Sequence, residues 1–307
     1  MITALAGGVG AAKFLNGLVK IVDPKNLTVI VNTGDDIEMY GLHVSPDLDI
    51  VCYTLAEIVD ETKGWGIRGD TFHFLDAIQR LGFETWFKIG DKDLATHVYR
   101  TARLNQGVKL SQVTAEISRS LGLETKILPM TDDKFVTHIV TQEKTMHFQE
   151  YLVKRGAKDE VVGVEFVGAS VAQPASEVLD AIESSELIVI CPSNPVVSIG
   201  TILLVQGIKD TLKRSNAQKV AISPIIAGVP VKGPADKLLR GLGFEVSAFS
   251  IAKLYADFLD CFVIDLADGS EKNRIEQLGL NVKVTNTIMR SLDDKIQLAK
   301  YVLALMH

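Results

Sequence analysis

Four aspartates, Asp35, Asp36, Asp47 and Asp49, stand close together in the first sixth of the chain. Carboxylates grouped near element ends are a common way to hold Mg²⁺ beside phosphates, because a hard cation takes oxygen ligands. Each acid also has a plainer use. Asp35 and Asp36 end the polar turn Thr33-Gly34-Asp35-Asp36, and Asp47 and Asp49 follow Ser45-Pro46, a good helix start. Acids in a first helical turn offset the macrodipole by about 0.3–1 kcal/mol with no function attached. Upstream, Gly7-Gly8-Val9-Gly10 separates the apolar run Ile2–Ala6 from a helical pattern of Ala11, Phe14, Leu15, Leu18 and Val22. Strand, glycine turn and helix together can present backbone N–H groups and a positive helix end to a phosphate. A tight turn without ligand needs the same glycines. Lys13 suits an anion contact or a solvated helix face equally. A second dense polar run, Lys88-Ile89-Gly90-Asp91-Lys92-Asp93-Leu94-Ala95-Thr96-His97, places Asp91 or Asp93 to cap a helix that carries His97.

Several chemistries are excluded or weakened. Gly-x-x-x-x-Gly-Lys-Ser/Thr is absent, so a P-loop nucleotide hydrolase is not indicated. Lys13 stands where a dinucleotide turn wants a small residue, and the second strand ends in Asn32 instead of a ribose-binding acid, so an NAD site is weak. No Gly-x-Ser-x-Gly elbow supports a hydrolase triad. Cys52, Cys191 and Cys261 are far apart in apolar surroundings, as inert thiols in a reducing cytosol would be. A net charge of −6 and the absence of any basic stripe argue against nucleic acid as a partner. No basic leader precedes the glycine turn and no apolar run approaches a bilayer span, so a cytoplasmic location without membrane contact is expected.

The elements that must position these residues read as βα alternation. Leu27–Asn32 and Glu186–Cys191 are continuous apolar runs, the pattern of parallel strands buried on both faces. Helices are expected near 45–59, 71–81, 94–104, 110–121, 205–213, 250–259, 271–278 and 291–306. Further strands are expected at 219–223, 244–248, 261–265 and 282–284. Residues 125–167 read as short strands of a small antiparallel excursion. The expected fold is α/β, a doubly wound, mostly parallel Rossmann-like sheet with a helical and small antiparallel β insertion. Residues 1–44 and 168–307 are expected to form its nucleotide-binding core and 45–167 the insertion. Loops after the strands, including Pro192-Ser193-Asn194-Pro195, then open on one edge, where ligands of such sheets bind.

Taken in order, these stretches resemble one family. The glycine turn through Leu15, Val31–Asp36, Ser45–Asp49, Trp65-Gly66-Ile67, Lys88–His97 and Pro192–Pro195 are similar to successive motifs of the 2-phospholactate transferases. These are the CofD/FbiA enzymes of coenzyme F420 biosynthesis. Ile127–Asp133, Phe148–Tyr151 and Ser223–Ile226 extend the likeness over nearly the whole chain. The resemblance implies transfer of a phospholactyl or phosphoenolpyruvyl group from a GDP-activated donor to the ribityl hydroxyl of the deazaflavin Fo, with GMP released. It implies Mg²⁺ as cofactor and a homodimer. It implies that Gly8, Gly10, Lys13, Asn32, Ser193 and Asn194 bind the guanine nucleotide and its phosphates. Asp35 and Asp49 would form the metal shell and the catalytic centre, Asp49 would also lie near the acceptor, and Lys88 would contact Fo. Relatives vary at the position of Lys88. The competing reading is a CofD-like nucleotide-binding or sugar-nucleotide-binding regulatory protein without transferase activity. The Lys88–His97 and Ser45–Asp49 blocks weigh against it.

Overall fold

Ile2–Ala6 and Leu27–Val31 are buried at every position, as parallel strands covered on both faces must be. In the computed structural model, which describes residues 1–306, they are β1 and β2. Helix α1 (Gly8–Leu18) connects them. A hairpin of β3 (Ile37–Met39) and β4 (Leu42–Val44) turns the chain into α2 (Pro46–Leu55). Helices α3 (His73–Arg80), α4 (Asp91–Asn105) and α5 (Leu110–Ser120) lead to β5 (Lys126–Pro129). Strands β6 (Val136–Thr141), β7 (Thr145–His147) and β8 (Val161–Val167) form an antiparallel sheet of their own. Alternation resumes with α6 (Val178–Glu183), β9 (Leu187–Ile190), α7 (Ile199–Leu204), α8 (Ile208–Arg214) and β10 (Gln218–Ile222). A hairpin of β11 (Ile225–Ile226) and β12 (Val229–Pro230) precedes α9 (Ala235–Gly241) and α10 (Ala248–Tyr255). The chain ends with β13 (Cys261–Asp265), α11 (Lys272–Glu276), β14 (Asn281–Thr285) and α12 (Leu292–Leu303).

The central sheet has seven parallel strands in the order β14-β13-β10-β9-β1-β2-β5. The chain winds outward from β1 through β2 to β5, then returns to the other side of β1 and winds outward again. The switch therefore falls between β1 and β9, the position where open α/β sheets bind ligands. Leu5 pairs with both Ile30 and Ile190, so the loops after β1, β2 and β9 leave the sheet at one level.

Successive side chains of each strand serve two cores. Leu5, Ile30, Ile188 and Ile190 face the layer of α7 to α10, while Ala4, Val29, Val31 and Val189 face α1, α2 and α12. Contact between α1 and α12 is close enough that a Cβ at Gly17 would lie 2.3 Å from the Lys295 carbonyl. Among the described residues no helix is long and apolar enough to cross a membrane.

The doubly wound parallel sheet is as expected, but the insertion is smaller than 45–167. Strand β5 pairs in parallel with β2 and closes one edge of the central sheet, and α2 lies in the core beside α1. Conversely, the β3–β4 hairpin within 1–44 stands outside the central sheet. The strand expected at 244–248 does not form. Ser247 caps α10 instead, its Oγ accepting the Ser250 N–H. Residues 145–153 hold a strand only to His147, after which Glu150–Lys154 is helical. The helix expected at 205–213 forms as α8 but starts only at Ile208, after Gly207, whose φ is +81°, and a separate short helix, α7, precedes it.

Candidate active site

The turns after β1 and β9 meet at the switch point. The Gly7 N–H donates to Ser193 Oγ at 3.3 Å. Any side chain at Gly10 would collide with this junction, because a Cβ there would sit 2.2 Å from the Pro192 carbonyl oxygen. A Cβ on Gly7 would lie 2.6 Å from Ser198 Cβ and 2.8 Å from Asp47 Oδ2. Gly8 has φ of +67°, which glycine adopts without strain. The glycines thus let a second loop and a carboxylate close onto the start of α1.

That carboxylate is Asp47. Its Oδ2 accepts from Asn32 Nδ2 at 2.8 Å, and the Gly8 N–H donates to it as well. Asn32 Oδ1 accepts from the Gly34 N–H at 2.8 Å and from Thr201 Oγ1 at 2.6 Å. Asn32 therefore joins the loop after β2 to α2 and α7. Asp35 lies beside Asp47, and its Oδ1 is buried without a hydrogen-bond partner. Burial, then the charge of Asp47, pushes the Asp35 carboxyl well above the usual carboxylate range. Burial likewise pushes Asp47 up to about 7, against the stabilising hydrogen bonds from Asn32 and Gly8. No lysine or arginine is among the groups acting on either carboxyl. Two buried acids facing each other with an unpartnered oxygen fit a divalent cation, which would supply the missing positive charge.

Asp36 points elsewhere. Its Oδ2 accepts from Ser45 Oγ at 2.7 Å and pairs with His43 Nε2 at 2.9 Å. Burial raises its carboxyl, while His43, Ser45 and Arg100 oppose the rise. The antiparallel sheet supports this loop from outside. His147 Nε2 donates to the Asp36 carbonyl at 3.1 Å, and the Thr137 N–H donates to the Gly34 carbonyl at 2.8 Å.

Asp49 stands two residues beyond Asp47, about 200° around the axis of α2, so the two acids face opposite ways. Its neighbour is α4. Arg100 Nη1 donates to Asp49 Oδ2 at 3.1 Å, and Nη2 donates to Oδ1. Arg100 Nη1 also donates to His97 Nδ1 at 3.2 Å, which leaves the ring proton on Nε2, 3.4 Å from Asp93 Oδ1. Asp93 Oδ1 accepts from Tyr53 at 2.7 Å. Burial raises the Asp93 carboxyl, but His97, Tyr53 and Arg100 outweigh it and hold Asp93 below the usual range. Asp49, Asp93 and His97 are close enough to share a metal ion. Arg100 already holds both Asp49 oxygens, so Asp49 carries a compensating cation of the protein's own.

The residues expected from the sequence are therefore divided. Gly8, Gly10, Asn32, Asp35 and Ser193 converge at the switch point. Asn194 lies in the same loop, but its Oδ1 accepts the Val196 and Val197 N–H groups and holds the turn. Asp49, expected in the metal shell with Asp35, faces Arg100 on α4, and it is Asp47 that lies beside Asp35. Lys13 is half-buried on α1 and Lys88 is exposed before α4. The sequence reading missed Arg100, Thr201, His43 and His147. Asp93, His97 and Arg100 follow helical spacing and share one face of α4, which was visible, but the partner of that face was not. A groove of about 560 Å³ between α5 and β5, lined by Lys109, Arg119 and Glu177, shares no residue with this site.

A family sequence model described as 2-phospho-L-lactate transferase CofD matches residues 2–295. The chain belongs to the CofD family. It is 42% identical over 303 residues to the 2-phospho-L-lactate transferase of Methanothermobacter thermautotrophicus, covering 99% of this chain and 97% of that one. It is 41% identical over 310 residues to the phosphoenolpyruvate transferase of Streptomyces griseus, covering 99% and 98%. The crystal structure of a UPF0052 family member from Bacillus halodurans superposes with a TM-score of 0.64 over 98% of both chains, at 16% identity, and so shares the fold. The CofD relatives are transferases, and this chain is a transferase of the same family.

Proposed function

We propose that this chain transfers a phospholactyl or phosphoenolpyruvyl group from a GDP-activated donor to the terminal ribityl hydroxyl of Fo, forming F420-0 and releasing GMP. The observation that carries the reading is the uncompensated Asp35–Asp47 pair set against the glycine turn of a CofD-family chain. Asp35 and Asp47 would hold Mg²⁺. Bound there, Mg²⁺ supplies positive charge against the charge that develops on the leaving phosphate.

The chain's own groups do the positioning that dominates such transfers. The first N–H groups of α1 have no acceptor within the helix. Those of Gly7 and Gly8 are engaged by Ser193 and Asp47, so Val9 and Gly10 offer theirs to a donor phosphate. Lys13 adds a cation on the same helix. Asn32 keeps Asp47 aimed at the turn while Thr201 and Gly34 hold Asn32. Lys88, before α4, contacts the acceptor.

The test is incubation of the purified protein with Fo, Mg²⁺ and each donor, lactyl-2-diphospho-5′-guanosine or its enolpyruvyl counterpart, with products read by mass. F420-0 or its enolpyruvyl analogue, together with GMP, supports the reading. No product with either donor overturns it.

A further inference from the structure

We propose that Arg100 is a positioning residue for the transfer: through Asp49 it fixes the acceptor-side helix α4 on the donor-side helix α2. The inference rests on the transferase reading above.

The first turn of α2 carries the site in two directions. Asp47 reaches back to Asn32 and Gly8 on the donor side. Asp49 reaches forward to Arg100, and both side chains are almost completely buried, at 5% and 1% exposure. Arg100 gives both terminal nitrogens to the Asp49 carboxylate, the planar two-point grip that fixes orientation as well as distance. Its own place on α4 is fixed in turn by His97 Nδ1. One more bond crosses the same helix pair, Tyr53 to Asp93 at 2.7 Å, and β4 adds another to α4, the His43 N–H donating to Thr101 Oγ1 at 2.8 Å. The guanidinium charge also acts on Asp36 in the acidic turn. Arg100 is thus the cation shared by α2, α4 and the loop after β2.

What α4 carries explains why its placement matters. The helix starts at Asp91, directly after Lys88-Ile89-Gly90. Asp91 accepts the N–H groups of His73 and Phe74, and Asp70 accepts those of Lys92 and Asp93, so α3 and α4 fasten each other. That unit meets α2 at a buried polar surface, where a loss of direction is costly because the groups cannot turn to water. Removing the two-point grip would let Lys88 shift against Asp35 and Asp47, and small misplacements of reacting groups cost large factors in rate.

The experiment uses the full-length protein with R100M, R100K and D49N, measured well below each variant's unfolding temperature. For R100M we expect kcat to fall about 100-fold and KM for Fo to rise about tenfold, with KM for the GDP-activated donor within threefold of wild type. R100K, which keeps the charge and loses the fork, should recover part of the loss. Hydrogen exchange over 88–105 should quicken at least tenfold in R100M while residues 2–18 keep their protection. Mn²⁺ affinity of the isolated variant should stay within threefold of wild type. Kinetic constants and exchange all within threefold of wild type would overturn the proposal. So would a tenfold loss of Mn²⁺ affinity, which would make Arg100 and Asp49 part of the metal site. If R100M does not fold, D49N and R100K carry the same comparison. Absence of product from the wild type would count against the transferase reading alone, and exchange over 88–105 would still decide whether Arg100 fixes α4.

Discussion

One turn of α2 presents two buried aspartates whose surroundings are opposite. Asp49 meets a guanidinium that engages both its oxygens. Asp47 meets two like-charged carboxyls, Asp35 and Asp36, and uncharged polar groups. Burying a charge is tolerable when it is paired and costly when it is not. A fold that compensates one acid and leaves its neighbour facing like charges leaves the second to be neutralised by a proton or, in the proposed function, by an external cation. The Asp49–Arg100 side is built to be rigid, and the Asp35–Asp47 side is built to be completed by what binds there.

The largest effect should come from the uncompensated side. D35N or D47N should lower turnover by about 1000-fold or more, because in the proposed transfer charge stabilisation at the leaving phosphate depends on the cation those acids would hold. Steady-state assays with Fo and donor at saturating Mg²⁺ check this. The compensated side should show the larger effect on folding. R100M leaves Asp49 buried without its partner and should cost about 3–5 kcal/mol of stability. In metal-free buffer at pH 8, D47N should instead raise stability, by about 1–3 kcal/mol, since it removes a like-charge contact. Chemical denaturation of the two variants side by side would break the comparison if both moved in the same direction.

That comparison was only half visible in the sequence. Apolar runs such as Leu27–Val31 and Glu186–Cys191 identify strands buried on both faces, and glycines before an amphipathic helix identify the first βα turn. From these the sheet class and the switch-point loops could be read. The membership of β5 could not, because Lys126-Ile127-Leu128-Pro129 is short and lies beside real antiparallel strands, and only pairing with β2 distinguishes them. Phe244 and Val246 alternate as a strand would, but the Ser247 cap turns the chain into α10. The four acids were legible as a group. Which of them face each other depends on how α2 rotates against β1 and α4, and the Arg100 that decides the matter lies 51 residues from Asp49. Local spacing carries no signal over that distance.

Smaller effects sharpen the contrast. Because the Asp47 carboxyl is raised to about 7, above its unfolded value near 3.8, the metal-free folded state holds a proton that the unfolded chain has lost. Stability from this group is complete below about pH 4 and declines as pH rises through about 7. Mg²⁺ or the D47N change should flatten that slope, which thermal unfolding across pH 4–8 would read. On the outer side of the acidic turn, H147A removes the hydrogen bond to the Asp36 carbonyl and should cost about 1 kcal/mol, with a modest loss of Mn²⁺ affinity.

The most direct measurement is Mn²⁺ binding to the wild type, D47N and D49N, followed by electron paramagnetic resonance of the free ion. Weakening of at least tenfold in D47N, with D49N within threefold of wild type, is the predicted result. Loss of binding in D49N with D47N unchanged would contradict the account.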